Sequence, residues 1–223
     1  MISVVVPTYN EAGNIPEFLD RINSSLRDYD SEVVVVDDNS PDGTSEVARE
    51  YSEQNGYSTD VIVREKERGL CGAVLRGVEE AKHDIICVMD ADLQHPPEKI
   101  PDLVQKIEEG YDVVVGSRYV EGGEASFAAF RKMVSRGASY LARAFLPVSG
   151  VKDPMSGFFA AKKETFPSDV KHGSGFKVLL EVLCSNDVEV VEVPISFAER
   201  KEGESNLSWK GAVQYLRRLV SLI

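Results

Sequence analysis

The feature that most constrains the fold is a regular alternation of short apolar runs with longer amphipathic stretches between residues 2 and 117. The apolar runs are rich in Val and Ile and end at turn residues, as strands buried on both faces of a sheet do. The stretches between them carry apolar residues three and four positions apart, with Ser, Thr, Asn or Pro near their starts. We predict strands at 2–7, 32–37, 59–64, 84–89 and 111–117, and helices at 15–26, 44–52, 73–81 and 97–109.

This alternation predicts an α/β protein with a Rossmann-like, mostly parallel central sheet covered by helices on both faces. In such a sheet, ligands bind beyond the carboxyl ends of the strands. The chain has 223 residues, no internal repeat and no low-complexity linker, so we expect one domain spanning 1–223. The residues that bind ligands should therefore follow the strands directly.

Charge and cysteine content exclude several classes of protein. The chain has 37 acidic and 25 basic residues and a formal net charge of −12, which argues against a nucleic-acid partner because such binding needs a basic face. Cys71, Cys87 and Cys184 form no CxxC pair, so neither a zinc site nor a disulfide framework is indicated, and a reducing compartment fits. We predict neither a signal peptide at the N-terminus nor a spanning helix within the chain.

The strongest candidate for a metal site follows the apolar run 85–88. Asp90 and Asp92 are two positions apart, so both carboxylates can converge on one cation where the strand ends. Hard oxygen ligands suit Mg²⁺ or Mn²⁺, which commonly complete their shell with oxygens of a substrate diphosphate. Gln94 offers a further oxygen at the same spacing. The alternative is that Asp-x-Asp forms only a polar turn.

The loops after the first two strands indicate a nucleotide but no common nucleotide fingerprint. Residues 7–11 and 37–44 contain neither GxGxxG nor a P-loop, which argues against a dehydrogenase or an ATPase. The ring of Tyr9 could instead stack on a base, while carboxylates accept hydrogen bonds from base or ribose. The alternative is that Asn10 and Asp42 are ordinary turn and cap residues.

A third loop, after the strand at 59–64, carries Arg68, Gly69 and Gly72 at the start of a predicted helix. Backbone N–H groups at such a helix start can approach a phosphate. This loop is therefore a candidate part of the same site. Further along, residues 176–183 have the pattern of a core helix, with Glu181 as a possible site residue.

Five motifs occur in order at these strand ends: PTYNE, VVDDNSPDGT, ERGLCGAV, MDADLQHPPE and GSRY. Together they resemble family 2 glycosyltransferases, and with DPMSGF at 153–158 and EVP at 192–194 the chain is similar to the polyprenyl-phosphate sugar transferases of that family. The resemblance extends from residue 2 to residue 206. It implies a GT-A fold, a nucleotide-sugar donor, Mg²⁺ or Mn²⁺, and a lipid-phosphate acceptor. The resemblance is greatest to members that move mannose from GDP-mannose to dolichyl phosphate with inversion.

The resemblance also implies roles for single residues. The nucleotide-sugar site would be formed by Pro7, Tyr9, Glu11, Val36, Asp38, Asp90, Ala91 and Asp92. The metal ligands would be Asp90, Asp92 and Gln94. The catalytic set would be Asp92, Arg118, Arg131, Ser135 and Arg200, with Arg131 and Ser135 contacting the acceptor phosphate. One position departs from the family pattern, because Gly-x-Ser-Lys is replaced by residues 203–206, which end in Asn206. Lys201 or Lys210 could supply the missing cation.

The resemblance divides the chain into a nucleotide-sugar part, 1–120, and an acceptor part, 121–223, that ends in an amphipathic helical segment. Residues 127–146 and 207–223 place apolar side chains beside arginines, which suits a helix lying in a bilayer interface, although both stretches could instead cover the sheet. We therefore expect a peripheral protein at the cytoplasmic face of a membrane. The apolar end at 216–223 has no glycine cap, so we expect either a removed spanning extension or a short peripheral form.

The chemistry of the acceptor separates the remaining hypotheses. A phosphate monoester is already anionic near neutral pH, so its glycosylation needs cations and a metal but no general base. A transferase of the same fold acting on a saccharide or protein hydroxyl would need a base, for which Asp153 is a candidate. A metal-dependent nucleotidyltransferase would have a Gly-rich, Arg-containing loop after the first strand, and residues 7–14 have none. An inactive nucleotide-binding module is the last alternative.

Overall fold

The computed structural model describes residues 1–66, 68–125, 150–167, 178–185 and 187–198, together with the single positions 137, 140 and 143. Its strands are β1 (Ile2–Thr8), β2 (Ser31–Asp37), β3 (Thr59–Val63), β4 (Ile85–Val88), β5 (Val113–Ser117), β6 (Glu124–Ala125), β7 (Phe159–Lys162), β8 (Val190–Pro194) and β9 (Ser196–Phe197). Its helices are α1 (Ile15–Ser25), α2 (Thr44–Asn55), α3 (Leu70–Glu80), α4 (Ile100–Glu108) and α5 (Val178–Ser185). A short 3-10 turn, Pro97–Lys99, precedes α4. A second one, Lys163–Thr165, follows β7.

Seven of these strands form one sheet in the order β3-β2-β1-β4-β7-β5-β8. β1 pairs in parallel with β2 along its whole length, from Ile2 opposite Ser31 to Thr8 opposite Asp37. β7 is the exception to parallel pairing, because it runs antiparallel to both of its neighbours, β4 and β5. A small parallel pair, β6 and β9, lies apart from this sheet. The five predicted strands are confirmed and the sheet is mostly parallel, as expected.

The sheet has a hydrophobic core on each face. On one face, Val4 and Val6 of β1 belong to a buried cluster with residues of α1 and α4. On the other, Val5 belongs to a cluster with residues of α3 and α5. Alternating residues of a buried strand point to opposite faces, which is why β1 is apolar throughout. The prediction that helices cover both faces is therefore confirmed.

Helix α3 lies close to the sheet because it carries a glycine at the contact. A Cβ added to Gly77 would lie 2.4 Å from Cγ1 of Val5 and 3.1 Å from Cγ2 of Val36. The helix starts at Leu70, three residues before the predicted position. Helix α4 is shorter than predicted, because the 3-10 turn occupies the first residues of the range 97–109.

At the amino end of the sheet, a buried carboxylate joins β1, β2 and the start of β4. Glu32 accepts hydrogen bonds from the Ser3 hydroxyl (2.7 Å) and the Lys82 backbone N–H (2.6 Å), and it pairs with the Lys82 ammonium at 2.8 Å. Burial alone raises the pKa of Glu32, but its bonds to Lys82 and Ser3 outweigh this effect and hold the pKa below its ordinary value. This end of the sheet is therefore fastened by an ionised side chain.

Most of the predicted acceptor part lies outside the described residues. Gly137, Tyr140 and Arg143 are helical and exposed, and they fall within the predicted helix 127–146. The predicted helix 207–223 lies wholly outside the part of the chain that the structure describes. Among the described helices, none is both long and apolar enough to cross a membrane.

Candidate active site

The described candidate residues follow the carboxyl ends of the parallel strands, where the sheet topology brings them to one edge. Tyr9 follows β1, Asp38 follows β2, Asp90 and Asp92 follow β4, and Arg118 follows β5. Pro7 and Val36 are register partners in β1 and β2, and both are buried beneath this edge. Ala91 is 2% exposed, between the two aspartates. The predicted location of the site is thus consistent with the fold.

Two buried or turn-forming aspartates fasten the loops after β1 and β2 to each other. Asp37 accepts hydrogen bonds from the Thr8 hydroxyl (3.0 Å) and from the backbone N–H of Ser40 (2.9 Å). Asp42 accepts from the Thr44 backbone and hydroxyl and from the Ala12 N–H, at 3.1, 2.6 and 3.1 Å. Asp42 is therefore a turn residue, as the alternative reading of the sequence proposed.

The residues of the first loop have similarly defined partners. Asn10 has a φ of 60°, and its N–H donates to the Ser40 hydroxyl at 2.9 Å. Glu11 accepts a hydrogen bond from the Asn14 side chain at 2.7 Å, just before α1. Asn10 is thus a turn residue too. These contacts hold the loop that carries Tyr9.

Asp38 lies in a buried ion pair that the sequence did not predict. Its Oδ1 accepts a hydrogen bond from Nη1 of Arg64 at 2.8 Å, and its Oδ2 accepts one from the Gly69 N–H at 2.7 Å. Asp38 and Arg64 are 7% and 9% exposed. Burial raises the pKa of Asp38 above its ordinary value, against the opposing effects of the Gly69 bond and the Arg64 charge.

One N–H group of the third loop already has a partner within the protein. The Gly69 N–H donates to the carboxylate of Asp38, so the expectation that N–H groups at this helix start approach a phosphate stays a prediction for the residues that follow. Arg64 was missed, although register gave a signal: Asp37 pairs with Val63, so Asp38 and Arg64 are the next residues on adjacent parallel strands. Arg64 also accounts for Gly72, because a Cβ there would lie 2.7 Å from Nη2 of Arg64.

Tyr9 presents its ring at the edge of the site. The residue is 46% exposed, and the guanidinium carbon of Arg68 lies 5.3 Å from the ring centroid. Arg68 Nη1 also donates a long hydrogen bond, 3.5 Å, to the Tyr9 hydroxyl. An exposed ring beside a cation can stack on a nucleobase, so the geometry suits the predicted contact.

The two carboxylates after β4 differ in their surroundings. Asp90 is partly exposed, and a Cβ added to Gly157 would lie 2.8 Å from its Oδ2, so the backbone at 157 approaches this carboxylate closely. Asp92 is 4% exposed and its Oδ1 accepts the Gln94 N–H at 3.1 Å. Between them and Gln94, Leu93 has a φ of 60°, a conformation that bulky side chains rarely adopt.

These residues fit a magnesium or manganese ion that shares its ligands with a substrate. Within the described ranges, no three His, Cys, Asp or Glu side chains form a group that could hold a metal. Two carboxylates are nevertheless a common protein contribution for Mg²⁺, whose remaining ligands are phosphate oxygens and water. Asp90 and Asp92 therefore suit a cation that arrives with a diphosphate.

Gln94 is placed differently from a simple ligand. Its side-chain Nε2 donates to the backbone carbonyl of Ala198 at 3.0 Å, and its backbone carbonyl accepts a hydrogen bond from the Ala198 N–H at 2.9 Å. These two bonds fasten the loop of Asp92 to the chain just after β9. The amide oxygen of Gln94 as a metal ligand stays a prediction.

Arg118 lies in a second buried ion pair, with Asp153. Its Nε and Nη2 donate to Oδ2 and Oδ1 of Asp153, each at 2.8 Å, and its backbone N–H donates to Oδ2 at 3.1 Å. Burial opposes the charge, but the bonds and charge of Asp153, with a smaller contribution from Asp90, raise the pKa of Arg118. Asp153 is fully buried and both its oxygens bind Arg118. It is therefore not placed to act as the general base that one hypothesis required.

Aromatic rings complete this part of the site. The rings of Tyr119 and Phe197 each lie 5.3 Å from the guanidinium carbon of Arg118. His95 packs edge-on against Phe197, with ring centroids 4.9 Å apart, and also against Phe158 at 5.6 Å. His95 is thus a buried residue that packs against aromatic rings.

The remaining predictions concern residues outside those described or residues of the core. Arg131, Ser135 and Arg200 lie outside the part of the chain that the structure describes, so their roles stay predictions. Glu181 is buried in α5, which covers residues of the predicted core helix and contributes to one of the two cores.

Comparison with known proteins identifies relatives along the whole chain. The family model described as "Glycosyl transferase family 2" matches residues 3–168. A dolichol-phosphate mannosyltransferase of Pyrococcus furiosus is 47% identical over 225 residues, covering 100% of this chain and 63% of the relative. Proteins of the same name from Mycosarcoma maydis and Saccharomyces cerevisiae are each 39% identical, covering 99% of this chain and 78% and 86% of their own lengths. This chain thus spans under two thirds of the archaeal relative.

Solved structures support the fold. Glucosyl-3-phosphoglycerate synthase from Mycobacterium tuberculosis, in complex with Mn²⁺ and UDP-glucose, superposes with a TM-score of 0.76 at 22% identity, covering 100% of this chain and 78% of the other. The same enzyme with phosphoglyceric acid gives a TM-score of 0.75 at 22% identity, covering 100% and 79%. This similarity confirms the predicted GT-A arrangement of the sheet and helices.

Proposed function

This chain belongs to glycosyl transferase family 2, and from that premise we propose that it transfers a sugar from a nucleoside diphosphate sugar to the phosphate of a polyprenol. The observation that carries the proposal is 47% identity along the whole chain to a relative named for mannosyl transfer to dolichol phosphate. The proposed donor is GDP-mannose, the proposed acceptor is dolichyl phosphate or a similar lipid, and the proposed cofactor is Mg²⁺ or Mn²⁺.

The geometry suits the donor half of this reaction. Tyr9 offers an exposed ring for the base, and the buried carboxylate of Asp38 lies at the end of the neighbouring strand. Asp90 and Asp92 would hold the metal, which when bound supplies positive charge to the leaving diphosphate. Arg118, which follows β5 at the same edge of the sheet, brings a second positive charge to the site. Together these groups stabilise the charge that develops as the anomeric bond breaks.

The acceptor half needs cations rather than a base. An attacking phosphate oxygen carries no proton that must be removed, and Asp153, the base candidate of the rival hypothesis, is committed to Arg118. Arg131 and Ser135 are the proposed contacts of the acceptor phosphate, and Arg200 is proposed to reach the phosphates of the donor. In-line attack by the phosphate oxygen inverts the anomeric carbon.

A lipid acceptor places the protein at a membrane surface. The amphipathic pattern of 127–146 and 207–223 supports a peripheral position on the cytoplasmic side, where nucleotide sugars are available. We expect the protein to bind vesicles without a spanning helix of its own among the described residues.

The proposal is tested by incubating the chain with Mn²⁺, a short polyprenyl phosphate and, one at a time, GDP-mannose, UDP-glucose and UDP-N-acetylglucosamine. The expected result is release of GDP together with a mannosylated lipid phosphate, both lost in EDTA. Transfer to a saccharide or peptide hydroxyl, with no lipid product, would favour the rival family member that uses a general base. A chain that bound GDP but transferred no sugar to any acceptor would favour the inactive nucleotide-binding module.

A further inference from the structure

Three other side chains, those of Asp153, Tyr119 and Phe197, surround the guanidinium of Arg118. Asp153 takes two of its nitrogens in a bidentate pair at 2.8 Å, a geometry that fixes the plane of the guanidinium. The rings of Tyr119 and Phe197 both approach its central carbon to 5.3 Å. An arginine at a site edge would otherwise have four rotatable bonds, so this arrangement restricts it strongly.

Different groups hold the shape of the Asp153 loop and the position of the arginine. The backbone N–H groups of Lys152 and Asp153 donate to the two oxygens of Glu192 in β8, at 2.8 and 2.9 Å. Ser156 closes the same loop, because its N–H donates to the Asp153 carbonyl at 3.1 Å and its hydroxyl to the Gly116 carbonyl at 2.7 Å. The loop is thus fastened through its backbone, which leaves the carboxylate of Asp153 to contact Arg118.

We propose that Asp153 is a positioning residue for sugar transfer, whose carboxylate fixes the Arg118 guanidinium at the carboxyl end of β5 so that it meets the donor diphosphate in one orientation. This inference rests on the proposed function, because it takes the donor to be a nucleoside diphosphate sugar. Asp153 comes from the segment before the antiparallel strand β7, and Arg118 from the end of β5, so the pair also joins two halves of the site. Asp153 then contributes to transfer through Arg118, without touching the substrate.

Two other roles for Asp153 make different predictions. A general base would give an acid limb in the pH profile of kcat/KM that disappears in Asp153→Asn. If Asp153 has a purely structural role, Asp153→Asn lowers the thermal stability but leaves the affinity for the diphosphate unchanged below the unfolding temperature. If Asp153 positions Arg118, Asp153→Asn lowers the affinity for the diphosphate part of the donor, and it has no further effect on that affinity when Arg118 is already replaced.

The experiment is a double-mutant cycle of Asp153→Asn and Arg118→Met on the full chain, measured by titration with GDP and, in competition, with guanosine, both with Mn²⁺. Each single variant should bind GDP roughly ten- to hundredfold more weakly, the usual effect of losing a charge-assisted contact, while guanosine affinity is unchanged. The affinity of the double variant for GDP should be no lower than that of the single variant with the lower GDP affinity. It also removes both charges, so no buried charge is left unpaired.

Matched variants keep the test decisive. Asp112→Asn breaks the ion pair of Asp112 with Lys162 at the other end of β5 and leaves Arg118 and Asp153 in place, so its GDP affinity should stay within about twofold of wild type. If Asp153→Asn does not fold, Arg118→Lys tests the orientation of the cation. This variant keeps both charges of the pair but loses the planar guanidinium that binds Asp153 through two nitrogens. A GDP affinity as low as that of Arg118→Met supports the proposal.

Additive losses in the double variant, normal GDP affinity in Arg118→Lys, or equal losses for guanosine and GDP would overturn the positioning role. Failure of the proposed function has a different signature, since a chain that binds GDP but makes no lipid product still allows the cycle to be measured. A wild-type chain that binds no GDP with Mn²⁺ would overturn both.

Discussion

Single residues at this site differ in function because their surroundings differ. Asp90 is partly exposed and lies against the backbone of Gly157, whereas Asp92 is nearly fully buried and accepts a backbone hydrogen bond from Gln94. The strained conformation of Leu93, directly after Asp92, costs about 1–2 kcal/mol, which the contacts of Gln94 with Ala198 help to offset. Such strain is characteristic of positions where a side chain must be aimed at a ligand.

The first residue-scale prediction concerns the metal. Asp92→Asn keeps the size of the side chain but removes its charge, so Mn²⁺ with GDP should bind more than about a hundredfold more weakly, since even indirect partners of a metal contribute ten- to hundredfold. Mn²⁺ titration monitored by electron paramagnetic resonance measures this loss. Asp102→Asn, which removes an exposed carboxylate of α4, is the control and should bind Mn²⁺ normally. Equal Mn²⁺ affinity in the two variants would refute the assignment.

A second residue-scale prediction concerns the acceptor. Arg131→Ala should remove about 1.5–3 kcal/mol of transition-state stabilisation, which lowers kcat/KM for a short polyprenyl phosphate by about one to two decades, while GDP affinity is preserved. Steady-state kinetics with the acceptor varied at saturating GDP-mannose measures the change. Arg143→Ala is the matched control from the same segment, and it should retain wild-type kinetics with this detergent-soluble acceptor. A silent Arg131→Ala variant would exclude that residue as the acceptor contact.

At this scale, the sequence predicted where the site residues lie in the fold better than it predicted their ion-pair partners. Asp38, Asp90, Asp92 and Arg118 were expected at one edge because each follows a strand, and parallel strands end together. The ion pair of Arg118 with Asp153 was not expected, because Asp153 lies in the segment before the antiparallel strand β7, which the sequence did not predict. Pairing across such distances depends on register, which periodicity in a single sequence does not give.

At the scale of elements, two glycines of helix α3 make room for different neighbours. Gly77 allows the helix to lie on β1 and β2, while Gly72 leaves room for the guanidinium of Arg64 above the first turn. The helix therefore contacts both the core and the nucleotide edge. A methyl group added at each position should have distinguishable effects.

We predict that Gly77→Ala destabilises the protein although alanine favours helices. The gain in helix propensity is about 1 kcal/mol, but overpacking against Val5 and Val36 costs about 1–3 kcal/mol or more, so the midpoint of thermal unfolding should fall by several degrees. Gly72→Ala should instead keep most of the stability and lose GDP affinity, because the new methyl displaces Arg64 from Asp38. Calorimetry and GDP titration of both variants check this. The reverse pattern would contradict the packing described here.

Four strands were not predicted from the sequence, and three of them have weak local signals. The fourth, β8 (Val190–Pro194), was missed although it is rich in Val. β7 consists of Phe159-Ala160-Ala161-Lys162, with two alanines and no β-branched residue, so its position in the middle of the sheet is set by its neighbours. β6 and β9 are two residues each, too short for any periodicity. By contrast, the Val-rich strands β1 and β2 were predicted nearly to their ends.

At the scale of the whole molecule, acidic groups with depressed pKa values tie stability to pH. The pKa of Glu32 is lowered as described above, that of Asp112 is lowered mainly by its hydrogen bond with Lys162, and that of Glu98 mainly by its hydrogen bond with Arg21. A carboxyl whose folded pKa lies below its unfolded value contributes stability above the unfolded pKa and loses it as pH falls through the folded one. Asp38, with a raised pKa, contributes with the opposite sign.

We therefore predict that the free energy of unfolding falls steadily below about pH 4.3, the ordinary value of a glutamate, as these groups become protonated. Glu32→Gln should cost about 1–3 kcal/mol at pH 7, and its difference from wild type should shrink as pH falls towards 3. Urea unfolding at several pH values measures both effects. Glu50→Gln, on the exposed side of α2, should follow the wild-type curve throughout. A Glu32→Gln difference that does not vary with pH would contradict the linkage.

The overall fold class was predictable because many positions report it together. Each Val-rich run and each amphipathic helix is a separate observation of the same layered arrangement, and the two cores confirm it. The division into a nucleotide part and an acceptor part came from resemblance alone and stays a prediction.

The antiparallel strand β7 has a consequence for the order in which the chain is made. β1 to β5 leave the ribosome before β7, so the newly made chain has an edge at β4 that β7 covers in the folded sheet. Until then that edge is a template for pairing with other chains, and β5 has no place beside it. A polypeptide stopped near residue 120 would contain Tyr9, Asp38, Asp90, Asp92 and Arg118 and still lack the strand that joins β4 to β5. Synthesis past residue 162 therefore first supplies the partner that the edge of β4 has in the folded sheet.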